Sequence, residues 1–253
     1  MNFDVLTLFP AIVDAFFKES IMAKSVESNK ISYTLTDFRD FATDRHHTCD
    51  DTPYGGGAGM VVKPEPLGKA LESVNAKNKR VIYPSPSGRK FTQEYAKELS
   101  KEEDLVIICG RYEGIDQRII DMYVDDEICI GDYVISSGEV AALVVIDAVY
   151  RLIDGVINAE SLLEESFTGG LLEYPHYTRP VTYCSRSVPE VLLSGHHANI
   201  EKWRMEKRIE KTLKMRPELL ENTPYKEMAY EKNIELKPYV AKGTEEDGCD
   251  KGN

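Results

Sequence analysis

Three segments of the chain share one design, an apolar run followed by a loop rich in Gly, Ser or Pro. They are VIYPSPSG at residues 81–88, VIICGRYEG at 106–114 and ICIGDYVISSGE at 128–139. If the runs are strands of an open parallel sheet, their loops gather at the carboxyl ends, where ligands bind. Glycine lets backbone approach a ligand closely, so three converging loops describe a pocket lined by amides and carbonyls. Singly, each is an ordinary turn as readily as a site. The glycines at 55–59 lack G-x-G-x-x-G spacing and no G-x-x-x-x-G-K-[ST] occurs, which disfavours the common nucleotide-binding classes. Further along stand Arg151, after an amphipathic stretch, and the paired acids Glu164 and Glu165. An arginine there also caps a helix C-terminus favourably. His46, His47, His196 and His197 have no metal-ligand spacing, and no metal ligand is assigned.

Periodicity indicates the elements that must position these loops. Apolar runs at 3–9, 81–83, 105–109 and 127–130 predict strands, with a further one at 31–38. The run at 105–109 is unbroken, as suits burial on both faces. Stretches at 11–23, 66–74, 93–99, 116–122 and 139–150 predict helices between them. The alternation implies an α/β domain with a mostly parallel sheet, over residues 1–158. The pattern breaks up at 159–177, a predicted interdomain linker. Residues 178–240 read as a helical second domain, chiefly at 189–193, 199–215 and 217–221. The polar, small-residue stretch 241–253 predicts a disordered tail.

The bulk composition sets outer limits. An apolar fraction of 42% and a charged fraction of 29% over 253 residues are those of a globular protein. No apolar run nears the roughly 20 residues needed to span a bilayer. MNFDVLTLFP has an acid at Asp4 and no basic leader, so it reads as a strand and not a signal peptide. Five scattered cysteines without C-x-x-C spacing predict reduced thiols in a cytoplasmic protein. A net charge of −12 is unfavourable for a nucleic-acid partner. Yet residues 202–216 hold Lys202, Arg204, Lys207, Arg208, Lys211, Lys214 and Arg216 against Glu206 and Glu210, an excess of 7 − 2 = +5. Such a stretch is either an RNA-facing helix or a solvated helix face.

Five motifs taken together are more specific: DDTPYGGGAGM (50–60), GRYEGID (110–116), IGDYVISSGE (130–139), PHYTRP (175–180) and VPEVLLSGHHANIEKWR (188–204). In this order they resemble the bacterial tRNA (guanine-N1)-methyltransferases, the TrmD family of the SPOUT superfamily, from Phe3 to about Asn222. The resemblance implies a SPOUT-type, mostly parallel α/β sheet with a deep trefoil knot around 81–139, followed by an all-helical domain. It implies transfer of a methyl group from S-adenosyl-L-methionine to N1 of the guanosine at position 37 of tRNA, next to the anticodon. It also implies a homodimer, no membrane association and assistance by Mg2+. Carried over by matched motif, the donor-binding residues are Tyr83, Ser85, Pro86 and Gly88, then Gly110 and Glu113. Ile130, Gly131, Asp132, Tyr133, Val134, Ile135 and Gly138 complete the set. The physics agrees: Ile130 and Ile135 can sandwich an adenine, and Glu113 places negative charge near a sulfonium.

Methylating N1 of guanine requires removing its proton while negative charge grows on O6, so the reaction wants a base and a cation. The resemblance assigns the base to a linker carboxylate and the assisting cation to an arginine ending the helix before the linker. Here these are Glu165 and Arg151. Three positions depart from the family pattern. Glu165 stands where an aspartate precedes Ser-Phe, in a linker one residue shorter than usual; Ser137 replaces a glycine and Ala58 a proline. The resemblance further implies substrate-facing Arg45, His46 and Asp50, and phosphate contacts to the anticodon arm from Lys202, Arg204, Lys207 and Arg208. Two other readings are a non-catalytic tRNA-binding SPOUT protein and a small-molecule α/β enzyme. Retention of Glu113, Arg151 and a linker carboxylate counts against the first, and the missing phosphate fingerprints against the second.

Overall fold

The computed structural model describes residues 1–158, 161–162, 164–221 and 223–231. The chain divides into two compact units, Met1–Asn158 and Ala159–Asn253. The strands of the first unit are β1 (Asn2–Thr7), β2 (Ser32–Asp37), β3 (Asp50–Asp51), β4 (Val61–Val62), β5 (Arg80–Lys90), β6 (Asp104–Ile108) and β7 (Asp126–Cys129). Five of them make one parallel sheet in the order β2-β1-β6-β5-β7. The short strands β3 and β4 pair antiparallel outside it.

Side chains alternate between the faces of a strand, and here both faces are covered. Phe3 and Val5 of β1, Ile82 of β5 and Leu105 and Ile107 of β6 pack with Val13, Phe17, Tyr95, Leu99, Val145 and Ile146. Leu6, Val81, Val106 and Ile108 pack on the opposite side with Leu67, Leu71 and Ile119. The result is a three-layer sandwich in which each fully buried Leu, Ile or Phe contributes about 1.5–3 kcal/mol. Asp4 is buried in the middle of β1, with Lys79 Nζ at 2.6 Å.

Helices α1 (Pro10–Phe17) and α2 (Ser20–Glu27) replace the single helix expected at 11–23. Ser20, at φ 55°, breaks the run. Proline at the first turn suits α1 and also α3 (Pro64–Ser73). Thr92 caps α4 (Gln93–Leu99) by accepting from the Tyr95 N–H, and Asp116 caps α5 (Gln117–Tyr123) by accepting from the Arg118 N–H. The last helix of this unit, α6 (Gly138–Tyr150), is largely buried.

β5 runs well past the expected 81–83. Pro84 and Arg89 both stand opposite Ile128 of β7, so the intervening residues leave the register and return. In the second unit β8 (Thr182–Tyr183) and β9 (Arg186–Ser187) form a hairpin, which corrects the expectation of an all-helical domain. Cys184 and Ser185 both take positive φ at its turn, the backbone of a tight hairpin, without the Asn-Gly that usually signals one. Helices of this unit include α7 (Glu190–Leu193), α8 (His197–Met215) and α9 (Lys226–Glu231). Leu171, Ile209, Leu213, Leu220 and Ala229 form the core of this unit. The tail expected at 241–253 lies outside the described residues. Cys49, Cys109 and Cys129 are free and buried.

Candidate functional site

A cavity of about 310 Å³ opens where β6 and β7 end and the middle of β5 leaves its register, within the range of small-ligand sites. Tyr83, Ser85 and Pro86 line it from β5, and Gly110 and Glu113 from the turn after β6. Ile130, Gly131, Tyr133, Val134, Ile135 and Gly138 line it from the segment joining β7 to α6. Two residues of the expected set, Gly88 and Asp132, are not in the lining. Gly88 serves packing: a Cβ there would stand 2.4 Å from the backbone of Glu127 and Ile128. Arg111, Tyr112, Ser136, Ser137 and Ala141 line the cavity although sequence reading did not select them. The signal for the first four was their place inside the same three segments; Ala141 lies just beyond the third, in the first turn of the helix that follows.

Close backbone contacts fix the floor of the cavity. The Gly138 N–H donates to the Gly110 carbonyl at 3.1 Å. A Cβ on Gly138 would lie 2.4 Å from that oxygen, and one on Gly110 would lie 2.8 Å from the Tyr83 ring. Burial first, and then the Glu127 carboxylate, push the Tyr83 phenol up. Burial and then Glu139 push the Cys109 thiol well above its usual range, which leaves it a poor nucleophile.

Glu139 anchors the loop above this floor. It is fully buried in the first turn of α6, where a helix favours negative charge. Thr7 Oγ1 donates to its Oε1 at 2.6 Å, Ser137 Oγ donates to Oε2 at 2.7 Å, and Arg111 pairs with Oε2 at 3.0 Å. Arg111 also donates to the Ser136 carbonyl and lies over the Phe9 ring at 4.3 Å. Sequence reading missed Glu139 and Thr7; an acid directly after the Ser-Ser-Gly turn was the available sign.

The GRYEG turn is tight, with Tyr112 at φ 58°, and it is tied to the β3–β4 ribbon. The Glu113 N–H donates to the Met60 carbonyl, and the Val62 N–H to the Gly114 carbonyl. Asp50 stands opposite Val62 in the same ribbon. Arg45 and His46 are exposed in the preceding loop. That loop is organised by Asp44, whose carboxyl is held at about 2 chiefly by hydrogen bonds from Thr48. None of Arg45, His46 and Asp50 lines the cavity.

Arg151 follows α6 directly. The 13 residues of α6 span roughly 20 Å at 1.5 Å per residue, with the cavity at the opposite end, beside Gly138. Val140, Val144, Asp147 and Arg151 fall at i, i+4, i+7 and i+11, one stripe of the helix. Val140 and Val144 are exposed on it. Burial raises the Asp147 carboxyl, and Arg151 opposes the shift.

In the second unit, Tyr174 Oη donates to Glu164 at 2.6 Å and Arg204 Nη1 lies 3.2 Å from the same oxygen. The Tyr174 phenol is pushed up to about 12 by burial and then by Glu164. Glu165 is half-buried and its carbonyl accepts from the Thr168 N–H. The four phosphate-contact candidates divide. Lys202 is exposed and Lys207 pairs with Glu210 at 2.6 Å. Arg204 is engaged by Glu164 and lies over the Tyr174 ring. Arg208 is 9% exposed and donates to backbone carbonyls, so the expectation that it faces phosphate is corrected. Charge alone does not report which helix face a residue occupies. Trp203 is half-buried, 6.4 Å from the Tyr177 ring.

Among the described residues no group of three His, Cys, Asp or Glu side chains could hold a metal ion, and no helix is long and apolar enough to cross a membrane.

Comparison with known proteins gives concordant matches. A Treponema denticola protein named tRNA (guanine-N(1)-)-methyltransferase is 71% identical over 221 residues, 87% of this chain and 91% of that protein. Proteins of the same name from Borreliella burgdorferi and Treponema pallidum are 64% and 62% identical. Each match covers 87% of this chain, and 92% and 88% of those proteins. The family profile described as tRNA (Guanine-1)-methyltransferase TrmD matches residues 1–222, and the chain belongs to that family.

Proposed function

We propose that the protein transfers a methyl group from S-adenosyl-L-methionine to N1 of guanosine 37 in tRNA, as a cytoplasmic homodimer. One observation carries the reading. Three loop segments of a chain 71% identical to a tRNA (guanine-N(1)-)-methyltransferase meet around one cavity of ligand size. Its residues suit the donor: Ile130 and Ile135 offer apolar faces, and Gly110 and Gly138 leave backbone room that a Cβ would fill. We read the path of β5 against β7, with Gly88 pressed on the β7 backbone, as part of the trefoil knot.

S-adenosyl-methionine supplies the methyl group on a sulfonium centre. Glu113 lines the cavity and offsets that positive charge. Glu165 takes the N1 proton of guanine, and Arg151 stabilises the negative charge that develops on O6. The carboxylate of Glu164 is engaged by Tyr174 and Arg204, and Glu165 is the acid that directly precedes Ser166-Phe167, the position the resemblance gives to the base. The described side chains offer no built metal site, so no step is assigned to the Mg2+ that the resemblance implies. Lys202, Lys211 and Lys214 are the exposed cations of α8 and form the surface for tRNA phosphates.

The length of α6 supports the dimer. Arg151 lies at the end of the helix away from its own cavity, so it serves a second copy. A two-fold related α6 laid antiparallel on the Val140–Val144 stripe brings the partner's Arg151 toward the N-terminal end of α6. Exposed Phe9 and Ile12 add apolar surface to this unit.

Three experiments test the reading. Incubation with donor and unmodified tRNA should give 1-methylguanosine next to the anticodon, by nucleoside mapping; methylation elsewhere, or none, rejects the assignment. Gly138→Ala should abolish donor binding by calorimetry, because its Cβ meets Gly110 backbone that cannot move aside. Mixed with Arg151→Ala, itself inactive, it should recover part of the activity, since one site of each heterodimer is then intact. No recovery after proven subunit exchange rejects the shared site.

A further inference from the structure

Arg204, Arg208 and Thr212 recur every four residues along α8, on the face turned to residues 164–174. Arg208 Nη2 donates to the Thr168 carbonyl at 2.8 Å, and its Nε donates to the Leu172 carbonyl at 3.4 Å. Thr212 is fully buried. Its Oγ1 accepts from the Leu172 N–H at 2.8 Å and donates to the Arg208 carbonyl at 2.7 Å. The segment also closes on itself: the Thr168 N–H donates to the Glu165 carbonyl and the Phe167 N–H to the Leu171 carbonyl. Leu171 is buried beside Ile209 and Leu213.

A buried guanidinium is costly to desolvate, and an apolar side chain of similar volume often packs as well. Arg208 spends its donors on two carbonyls four residues apart, a span suited to its rigid fork. We propose that Arg208 and Thr212 are positioning residues, which make α8 the mount for the segment carrying Glu165. The proposal rests on the reading of Glu165 as the base. The helix that offers Lys202, Lys211 and Lys214 to tRNA then also holds the carboxylate that deprotonates the tRNA base. Binding and base placement share one rigid element.

The test uses the full chain with two variants, Thr212→Val and Arg208→Lys. Thr212→Val removes the acceptor at nearly constant volume; Arg208→Lys keeps charge but not the two-point span. In both, hydrogen exchange at Phe167 and Leu172 should accelerate. Turnover at saturating tRNA and donor should fall about tenfold to a hundredfold, the scale of a small misplacement of a catalytic group. KM for tRNA, its salt dependence and donor affinity should stay within about twofold. Arg208→Lys that instead raises KM for tRNA and flattens its salt dependence would mark a phosphate contact and overturn the proposal. Wild-type turnover in Thr212→Val beside an inactive Glu165→Gln overturns the positioning role alone. An active Glu165→Gln overturns the reading beneath it.

Discussion

Glu165→Gln should turn over on the order of 10²-fold more slowly than the parent chain, with unchanged affinity for the methyl donor. Glutamine keeps the size and most of the hydrogen bonding of glutamate but cannot accept a proton at neutral pH. The loss should therefore appear in the chemical step, measured by single-turnover methyl transfer. Raising the pH should restore part of the rate, because more guanine is then already deprotonated at N1. Glu164→Gln is the control. Its carboxylate binds Tyr174 and Arg204 within the second unit, and glutamine still accepts from a phenol, so its effect should be much smaller. The reverse ranking would give the base role to Glu164. Full activity in both variants would leave the 164–165 pair without a catalytic part.

Glu139→Ala should be the most destabilising single change in the first unit. Its carboxylate accepts from two hydroxyls and pairs with Arg111 while wholly buried. Truncation would strand the Arg111 guanidinium, whose Nε is already a buried atom without a partner. Breaking a buried pair from one side costs about 3–5 kcal/mol, a large part of the stability of an ordinary domain. Urea unfolding measures it, and a change under about 1 kcal/mol would reject the anchoring role. Donor affinity should fall together with stability, because Ser136 and Ser137 belong both to this network and to the cavity lining.

Much of this site was legible in the sequence because its three loops each follow an apolar run, and parallel strands bring their carboxyl ends together whatever the details of register. The sheet was legible for the same reason. The extension of β5 was not: Pro84 and Pro86 lack an N–H and normally end a strand, yet pairing with β7 resumes at Arg89. The β8–β9 hairpin was hidden by a turn built from Cys184 and Ser185. Arg208 was misread because a charge count ignores helix geometry. Ile209 and Leu213 already placed the Arg208–Thr212 side of α8 toward the core, and 3.6-residue periodicity would have revealed it. The spacing between Arg151 and the cavity was likewise implicit in the length of α6, but it acquires meaning only once the cavity is at the other end.

The register of β1 has a kinetic consequence. Asn2 stands opposite Asp104 and Leu6 opposite Ile108, so the middle of the sheet joins stretches about a hundred residues apart in the chain. Such non-local pairings slow folding, whereas contacts close in sequence, like those within a helical unit, form early. The loop-closure entropy must be met before β1 and β6 gain their shared neighbours. Thr7, at the end of β1, holds Glu139 beside the cavity, so ligand binding there is expected to await this pairing in a refolding chain. It should lag behind the recovery of helical signal.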